Sequence, residues 1–366
     1  MARGPSGTEL ARDTDIPDRN DTDMATPAWH QRARVTRETL LLKRKRIERG
    51  ELKMWERRGR SYHSQNRRLR DRLLWRGLHL LSLSSRAEAN VRRSVVKPLH
   101  FSFDTLPAAF DGFTILHLSD LHADGLDGLA DNLYDRIQGL DVDLCVLTGD
   151  YRFKTKGDCH HVYTSMARIL SGVNARHGIT GVLGNHDSFE MIEELERLGV
   201  KMLLNESHDV QQSSQRIWLV GVDDPHYYGC ADLPIALSEV PADAFKILLV
   251  HSPEMYADAA DHGIHLYLCG HTHGGQICLP LWGPIVTNAN CPRRYARGRW
   301  RHRNVQGYTS SGTGASGVQV RFFCPPEIGL ITLHRTATET PLTHAYDDQR
   351  HLVSSAKIGT NRILPS

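Results

Sequence analysis

No run in this 366-residue chain reaches the ~18 consecutive apolar residues that a membrane-spanning helix requires. A helical integral membrane fold is therefore not expected, while contact with a membrane surface stays open. The seven cysteines, at positions 145, 159, 230, 269, 278, 291 and 324, form no C-x-x-C pair. Their odd number and scattered spacing argue against a zinc ribbon or a disulfide framework and for a reducing compartment. Cys145 and Cys269 lie in apolar runs and read as buried free thiols. No unit recurs at a fixed period, which excludes a repeat array. An apolar signal core is missing near the N-terminus, so a standard secretory route is not expected. Arg67-Arg68 ahead of Leu73-Leu74 resembles a twin-arginine signal, but Arg76 and His79 interrupt the apolar stretch such a signal needs.

Charge is present but uneven, and the net +3 conceals it. Residues 1–100 carry 24 Lys+Arg against 12 Asp+Glu, whereas residues 101–366 carry 21 against 30. The excess lies between Arg32 and Lys97, with 21 basic and 6 acidic side chains. A mildly acidic body does not suggest a nucleic-acid-binding fold. It does suit a domain that gathers carboxylates around cations.

These shifts divide the chain. Residues 1–30, rich in Asp, Thr, Pro and Gly, read as a flexible N-terminus. Residues 31–100 read as a basic, amphipathic helical extension, with few breakers before Leu83. It contains the polybasic run Lys43-Arg44-Lys45-Arg46. Further on, Leu69, Leu73, Leu80 and Leu83 recur at helical spacing among Arg70, Arg72, Arg76 and His79. Such a segment can bind an anionic membrane surface, pack its leucines on the body, or contact nucleic acid. Residues 101–335 form the body, and residues 336–366 a polar tail.

Within the body, apolar runs alternate with helical patterns. Strands are predicted at 113–118, 142–147, 179–183, 217–222, 245–250, 266–269 and 328–333. Helices are predicted at 129–140, 160–170 and 189–198. This alternation indicates an α/β fold. Five of the predicted strands end in metal-competent residues: Asp120 with His122, then Asp150, then Asn185 with His186, then His251, then His271 with His273. In open α/β sheets, sites form beyond the carboxyl ends of strands. Carboxylate, amide and imidazole donors without thiolate suit Mn, Fe, Zn and related divalent ions. Two such ions can clamp both oxygens of an in-line displacement at phosphorus. Asp150, a single acid behind Gly149, is the candidate bridge. His117 reads as a packed histidine; His160, His161 and His226 read as surface residues. The turn Asp223-Asp224-Pro225 reads as structural. Arg293, Arg294 and Arg321 are candidates to meet a second phosphate, with surface solvation favoured for the first two.

The set Asp120-x-His122, Gly149-Asp150, Gly184-Asn185-His186-Asp187, His251 and Gly270-His271-x-His273 resembles the calcineurin-like metallophosphoesterases. Finer segments are similar to a bacterial, partly membrane-associated branch: Leu118 to His122, Gly270 to Gln276, Gly312 to Gly317 and Arg321 to Glu327. That branch includes phosphodiesterases and UDP-diacylglucosamine pyrophosphatases. The resemblance implies a four-layer α/β/β/α sandwich of two mixed sheets with a dimetal site at the strand ends. It implies that Asp120, His122, Asp150 and His273 hold one ion, and Asp150, Asn185, His251 and His271 the other. Manganese is the expected metal, with Fe, Zn, Ni or Mg as alternatives. His186 becomes the catalytic histidine, with Asp187 orienting it. Ser252 stands after His251 where this branch would have Asn. The expected enzyme is a hydrolase of phosphodiester or pyrophosphate bonds in which a metal-bridging hydroxide attacks phosphorus. Its expected substrate is lipid-linked or a UDP-sugar, as in lipid A biosynthesis. Its expected location is the cytoplasm, with a peripheral position on the inner membrane left open. The alternatives are a nuclease or cyclic-nucleotide phosphodiesterase, and a metal-containing scaffold protein.

Overall fold

A computed structural model describes residues 28–52, 76–77, 79–80 and 82–336, with the side chains of residues 28–36 excepted. Most of the leucine-bearing stretch 69–83 and the tail from 337 onward lie outside the described residues, as do residues 1–27 of the segment read as flexible.

Two six-stranded sheets carry the body. The first contains β1 (Val95–Phe103), β2 (Thr114–Leu118), β3 (Leu144–Leu147), β4 (Ile179–Gly181), β5 (Val200–Met202) and, at the far end of the chain, β14 (Glu327–Arg335). Its order is β1-β14-β2-β3-β4-β5, with β14 antiparallel to β2 and the other neighbours parallel. The second contains β6 (Glu206–Gln212), β7 (Gln215–Gly221), β8 (Lys246–Leu249), β9 (Leu266–Cys269), β12 (Gly298–His302) and β13 (Val305–Thr309). Its order is β12-β13-β9-β8-β7-β6, antiparallel only at its two outer pairs. A small hairpin of β10 (Cys278–Leu279) and β11 (Gly283–Pro284) projects between β9 and β12 in the chain.

Strand side chains alternate between two apolar layers, as a period of two requires. In β2, Ile115 joins Val146, Ile247, Leu249 and Leu268 in the core between the sheets. Its neighbours Leu116 and Leu118 face the helices α3 (Leu129–Ile137), α4 (His160–Leu170) and α5 (Met191–Arg197). On the outer side of the second sheet, Val220, Leu248 and Tyr267 pack with α6 (Leu233–Ala236) and α7 (Tyr256–Asp261). The result is helix, sheet, sheet, helix. Strands buried on both faces explain the unbroken runs of β3, β8 and β9, all of whose residues are buried.

The basic extension is not one helix. Among the described residues, α1 (Ala28–Glu48) and α2 (Ser84–Val91) precede the first strand, and residues 76–77 and 79–80 are also helical. The helical reading gives way at Val95, because β1 adds in parallel to the last strand and belongs to the first sheet. Helix α1 also starts inside the segment read as flexible. It lies on the body: Arg37 donates to Glu196 and to the Met202 carbonyl, and Lys43 to the Gly229 carbonyl. Among the described residues, no helix is long and apolar enough to cross a membrane.

Candidate metal centre

Strands β2, β3 and β4 run parallel in the first sheet, and β8 and β9 run parallel in the second. Their carboxyl ends therefore open on one rim, and the residues that follow them meet there. Asp120, His122, Asp150, His251, His271 and His273 are all buried, and Asn185 is partly so.

The donors form two nests. In the first, His273 Nε2 lies 3.1 Å from His122 Nε2 and 3.3 Å from an Asp120 oxygen. In the second, Asn185 Oδ1 lies 3.0 Å from His251 Nε2 and 2.8 Å from His271 Nδ1, and those two nitrogens are 3.2 Å apart. Asp150 stands between them, with Oδ2 3.7 Å from His122 Nε2 and 3.3 Å from His251 Nε2. The residues expected to serve each ion thus lie together, with Asp150 between the two groups.

The chemistry of these nests calls for cations. A backbone carbonyl can only accept, so the ring nitrogen beside it must donate. His122 Nδ1 bonds the Arg152 carbonyl at 2.8 Å, His251 Nδ1 that of Thr148 at 2.7 Å, and His271 Nε2 that of Asn288 at 2.9 Å. In the neutral rings of His122 and His271, the inward nitrogen then carries a lone pair. Lone pairs facing one another and carboxylates are unfavourable unless a positive ion lies among them, and carbonyl-anchored imidazoles are the usual supports of bound metals. Burial, with His186 adding to it, holds the His122 ring down to about 3. Burial likewise holds His271 and His273 well below the ordinary histidine range. Burial pushes the Asp120 carboxyl up to about 6. Asp150 and His251 form a charged pair: burial opposes both charges, but His251, His186 and His122 together hold the carboxyl well below its ordinary range, and Asp150, Asp120 and Asp224 together raise the ring to about 10.

Five of the candidate ligands hold left-handed backbone, with φ of 50° at Asp120, 40° at His122, 58° at Asp150, 71° at His271 and 51° at His273. Each such residue costs on the order of 1 kcal/mol. The loops sustain this by bonding one another: Asp120 N–H donates to the Gly149 carbonyl, and His122 N–H to that of Asp150, both at 3.0 Å. They also approach so closely that two positions before the ligands admit no side chain. A Cβ on Gly270 would fall 2.1 Å from an Asp120 oxygen, and one on Gly184 2.2 Å from an Asp150 oxygen.

Several roles differ from expectation. The Asp187 carboxylate does not hold the His186 ring. It accepts the N–H groups of Gly184, Asp150 and Tyr151 at 2.7–2.8 Å, while His186 Nδ1 donates to the Phe153 carbonyl at 2.6 Å. His186 Nε2 thereby faces the site, 4.0 Å from Asp150 Oδ2 and 3.4 Å from Ser316 Oγ. Arg321 is not available to a phosphate. It is fully buried, and its Nη2 donates to the carbonyls of Ser311 at 2.6 Å and Gly314 at 2.5 Å. The loop from Gly312 to Gly317 packs behind Asp120 and Leu121, where Cβ atoms on Gly312 and Gly314 would collide. Arg293 and Arg294 bond the Pro284 carbonyl and the Tyr295 hydroxyl, in keeping with a surface role.

Three contributors were not foreseen. His226, read as a surface residue, is largely buried; its Nδ1 lies 2.6 Å from Glu254, and its ring centroid is 4.2 Å from that of His271. Its place just beyond the end of β7 was the available signal. Ser316, beside His186, sits in a glycine-rich loop that gave no residue-level cue. Arg44 reaches the site from α1, with nothing in the polybasic run to single it out.

Residues 113–275 match the sequence profile of the family described as calcineurin-like phosphoesterase. A Bacillus subtilis (strain 168) protein described as the uncharacterized metallophosphoesterase YkuE is 30% identical over 239 residues, which is 63% of this chain and 82% of that one. Similarity of the same order extends to YkoQ of the same organism, an uncharacterized metallophosphoesterase, with 29% identity over 62% of this chain and 84% of the relative. The Escherichia coli (strain K12) phosphodiesterase YaeI is 29% identical over 60% of this chain and 82% of its own length.

Proposed function

We propose, from the premise that this chain belongs to the calcineurin-like phosphoesterase family and is a hydrolase of phosphoric esters, that it cleaves a phosphodiester or pyrophosphate bond of a lipid-linked substrate met at a membrane surface. The observation that carries the hydrolytic part is the meeting of seven nitrogen and oxygen donors in two nests that share Asp150. Divalent ions held there would supply an activated water and stabilise charge on the phosphoryl oxygens. The mixed nitrogen and oxygen set without thiolate suits Mn, Fe, Zn and related divalent ions, and manganese is the proposed one.

The chain's own residues supply the rest. Asp120, His122 and His273 fix one nest, Asn185, His251 and His271 the other, and Asp150 sets their spacing. His186, anchored through Nδ1, points Nε2 at the same space. From there it can steady a phosphoryl oxygen or, when doubly protonated, give a proton to the leaving oxygen.

Support for the lipid part lies beside the site. The hairpin from Cys278 to Pro284 ends in Leu281 and Trp282, whose exposures are 106% and 84%, and Leu279, Ile285, Val286 and Phe323 are exposed around it. Large apolar groups gathered on a surface mark an interaction site, and tryptophan favours the membrane interface. The hairpin presses on the metal-ligand turn: a Cβ on Gly275 would fall 2.2 Å from Pro284. From His262 to Pro326 the chain holds no acid and six arginines besides the buried Arg321. Arg293 bonds the hairpin directly. That charge suits anionic headgroups. The nuclease alternative would use the basic run as a phosphate track, yet Lys43 and Arg44 bond the body instead.

The test compares turnover of an aryl phosphodiester with that of UDP-diacylglucosamine in detergent, for the manganese-loaded chain and for Leu281→Asp/Trp282→Ser. A loss confined to the lipid substrate supports the reading. Equal rates in both proteins on both substrates discard the lipid part and leave the hydrolase. Full metal occupancy without turnover of either would favour the scaffold alternative.

A further inference from the structure

Helix α1 ends more than sixty residues before the segment that matches the family profile, yet its last turn enters the site. Arg44 is fully buried there. Its Nη2 donates to the Gly184 carbonyl at 2.8 Å and to the Asp187 carbonyl at 2.7 Å, which bracket Asn185 and His186. Its Nη1 bonds the Asp223 carboxylate, and its Nε donates to Glu48 at 2.9 Å. The Tyr228 ring lies 4.0 Å below the guanidinium. Glu48, one turn on, accepts from Ser188 Oγ at 2.7 Å and Phe189 N–H at 3.1 Å, just beyond the same loop.

These contacts join two loops from different sheets. One follows β4 and carries Asn185 and His186. The other follows β7, where the Asp224 carboxylate accepts the N–H groups of Tyr227 and Tyr228 at 2.6 and 2.7 Å and so shapes the turn that bears His226. A planar guanidinium has donors in a fixed fork and can serve carbonyls on one edge and a carboxylate on another; an ammonium cannot reproduce that geometry. Burying such a charge is unfavourable unless every donor is met, and here Nε, Nη1 and Nη2 all have acceptors.

We propose that Arg44 is a positioning residue for the metal centre: by holding the Gly184 and Asp187 carbonyls, α1 fixes the backbone that presents Asn185 to the second ion and His186 to the phosphoryl group. The proposal rests on the dimetal reading of the site. Asn185 serves only one nest, so a displaced loop should release one ion and keep the other. A shift of about 1 Å in such a group lowers kcat on the order of 10²-fold.

The experiment compares the full chain with Arg44→Met, Arg44→Lys and Arg37→Met, the last removing a helix contact remote from the loop. Each is measured for bound manganese per chain, for kcat and KM on an aryl phosphodiester, and for amide hydrogen exchange of residues 184–188 in the metal-free state. Two ions and turnover in the parent verify the reading on which the proposal rests. Arg44→Met is then expected to keep about one ion, to lose kcat on the order of 10²-fold with little change in KM, and to exchange faster at 184–188. Arg44→Lys should fall short of the parent in the same measures, and Arg37→Met should match it. Because Arg44→Met leaves Asp223 buried and unpaired, Arg44→Met/Asp223→Asn serves as the second variant. A double variant that regains thermal stability but not the second ion supports positioning. One that regains the ion and the rate overturns it, as does Arg44→Met or Arg44→Lys with both ions and parental kcat.

Discussion

The carboxylate of Asp187 accepts the backbone N–H of Asp150 at 2.8 Å, so the acid after the proposed catalytic histidine supports the proposed bridging ligand and not the histidine ring. The same carboxylate also holds Gly184 and Tyr151. An amide offers one acceptor oxygen and turns an N–H₂ toward these donors. Asp187→Asn is therefore expected to destabilise the fold by about 1–3 kcal/mol and to weaken metal binding by roughly 10–100-fold. Denaturant titration and metal analysis check this. A variant with parental metal affinity and only an altered pH profile would instead assign Asp187 to His186.

His186→Ala separates chemistry from coordination. His186 stands close to His122 and Asp150, with Nε2 4.0 Å from Asp150, and its proposed part is in catalysis, not coordination. The variant should keep both ions and lose roughly 10²–10⁴-fold in kcat. Loss of an ion would show that His186 has been misassigned as a catalyst when it is a ligand.

Gly270→Ala tests close approach of the loops. The added carbon would fall 2.1 Å from an Asp120 oxygen. Asp120 also accepts the His271 N–H at 3.0 Å, so any displacement is passed to a second ligand. Markedly reduced metal content in a folded protein is the expected result, read by circular dichroism and metal analysis on the same sample.

The metal-free chain should lose stability in mild acid. Burial pushes His117 down to about 3 against a smaller upward pull from Glu327. In the unfolded chain the same ring titrates near ~6.5. Below that pH the unfolded state binds a proton that the folded state refuses, so the stability is complete above ~6.5 and falls as pH drops toward the folded value, by up to ~1.4 kcal/mol per pH unit. His208 and His265, lowered to about 4 mainly by burial, add in the same direction. Urea midpoints at pH 7 and pH 5 measure the slope, and His117→Phe should make it shallower.

Much of this was legible because chemistry follows an apolar run. Helix α4 and strand β9 have the bounds that periodicity predicts, and β2 differs by one residue. Each candidate ligand follows a strand whose residues are nearly all buried, a pattern visible in residue identity alone. What was not legible depends on partners far away in the chain. Arg44 looks like any member of a polybasic run until Asp223, 179 residues on, is placed against it. His226 is explained by Glu254, and Asp187 by backbone N–H groups that no side-chain pattern reports. Strand β1 was absorbed into a basic segment because its partner, β14, lies more than 200 residues later.

The central claim is that two ions share Asp150. The most direct measurement is manganese content per chain, taken with aryl phosphodiester turnover on the same samples, for the parent and for Asp150→Asn. The account predicts two ions and turnover in the parent, with weakened retention of both ions and no measurable turnover in the variant. Near-parental turnover in Asp150→Asn, or a parent fully active with a single ion, would contradict it.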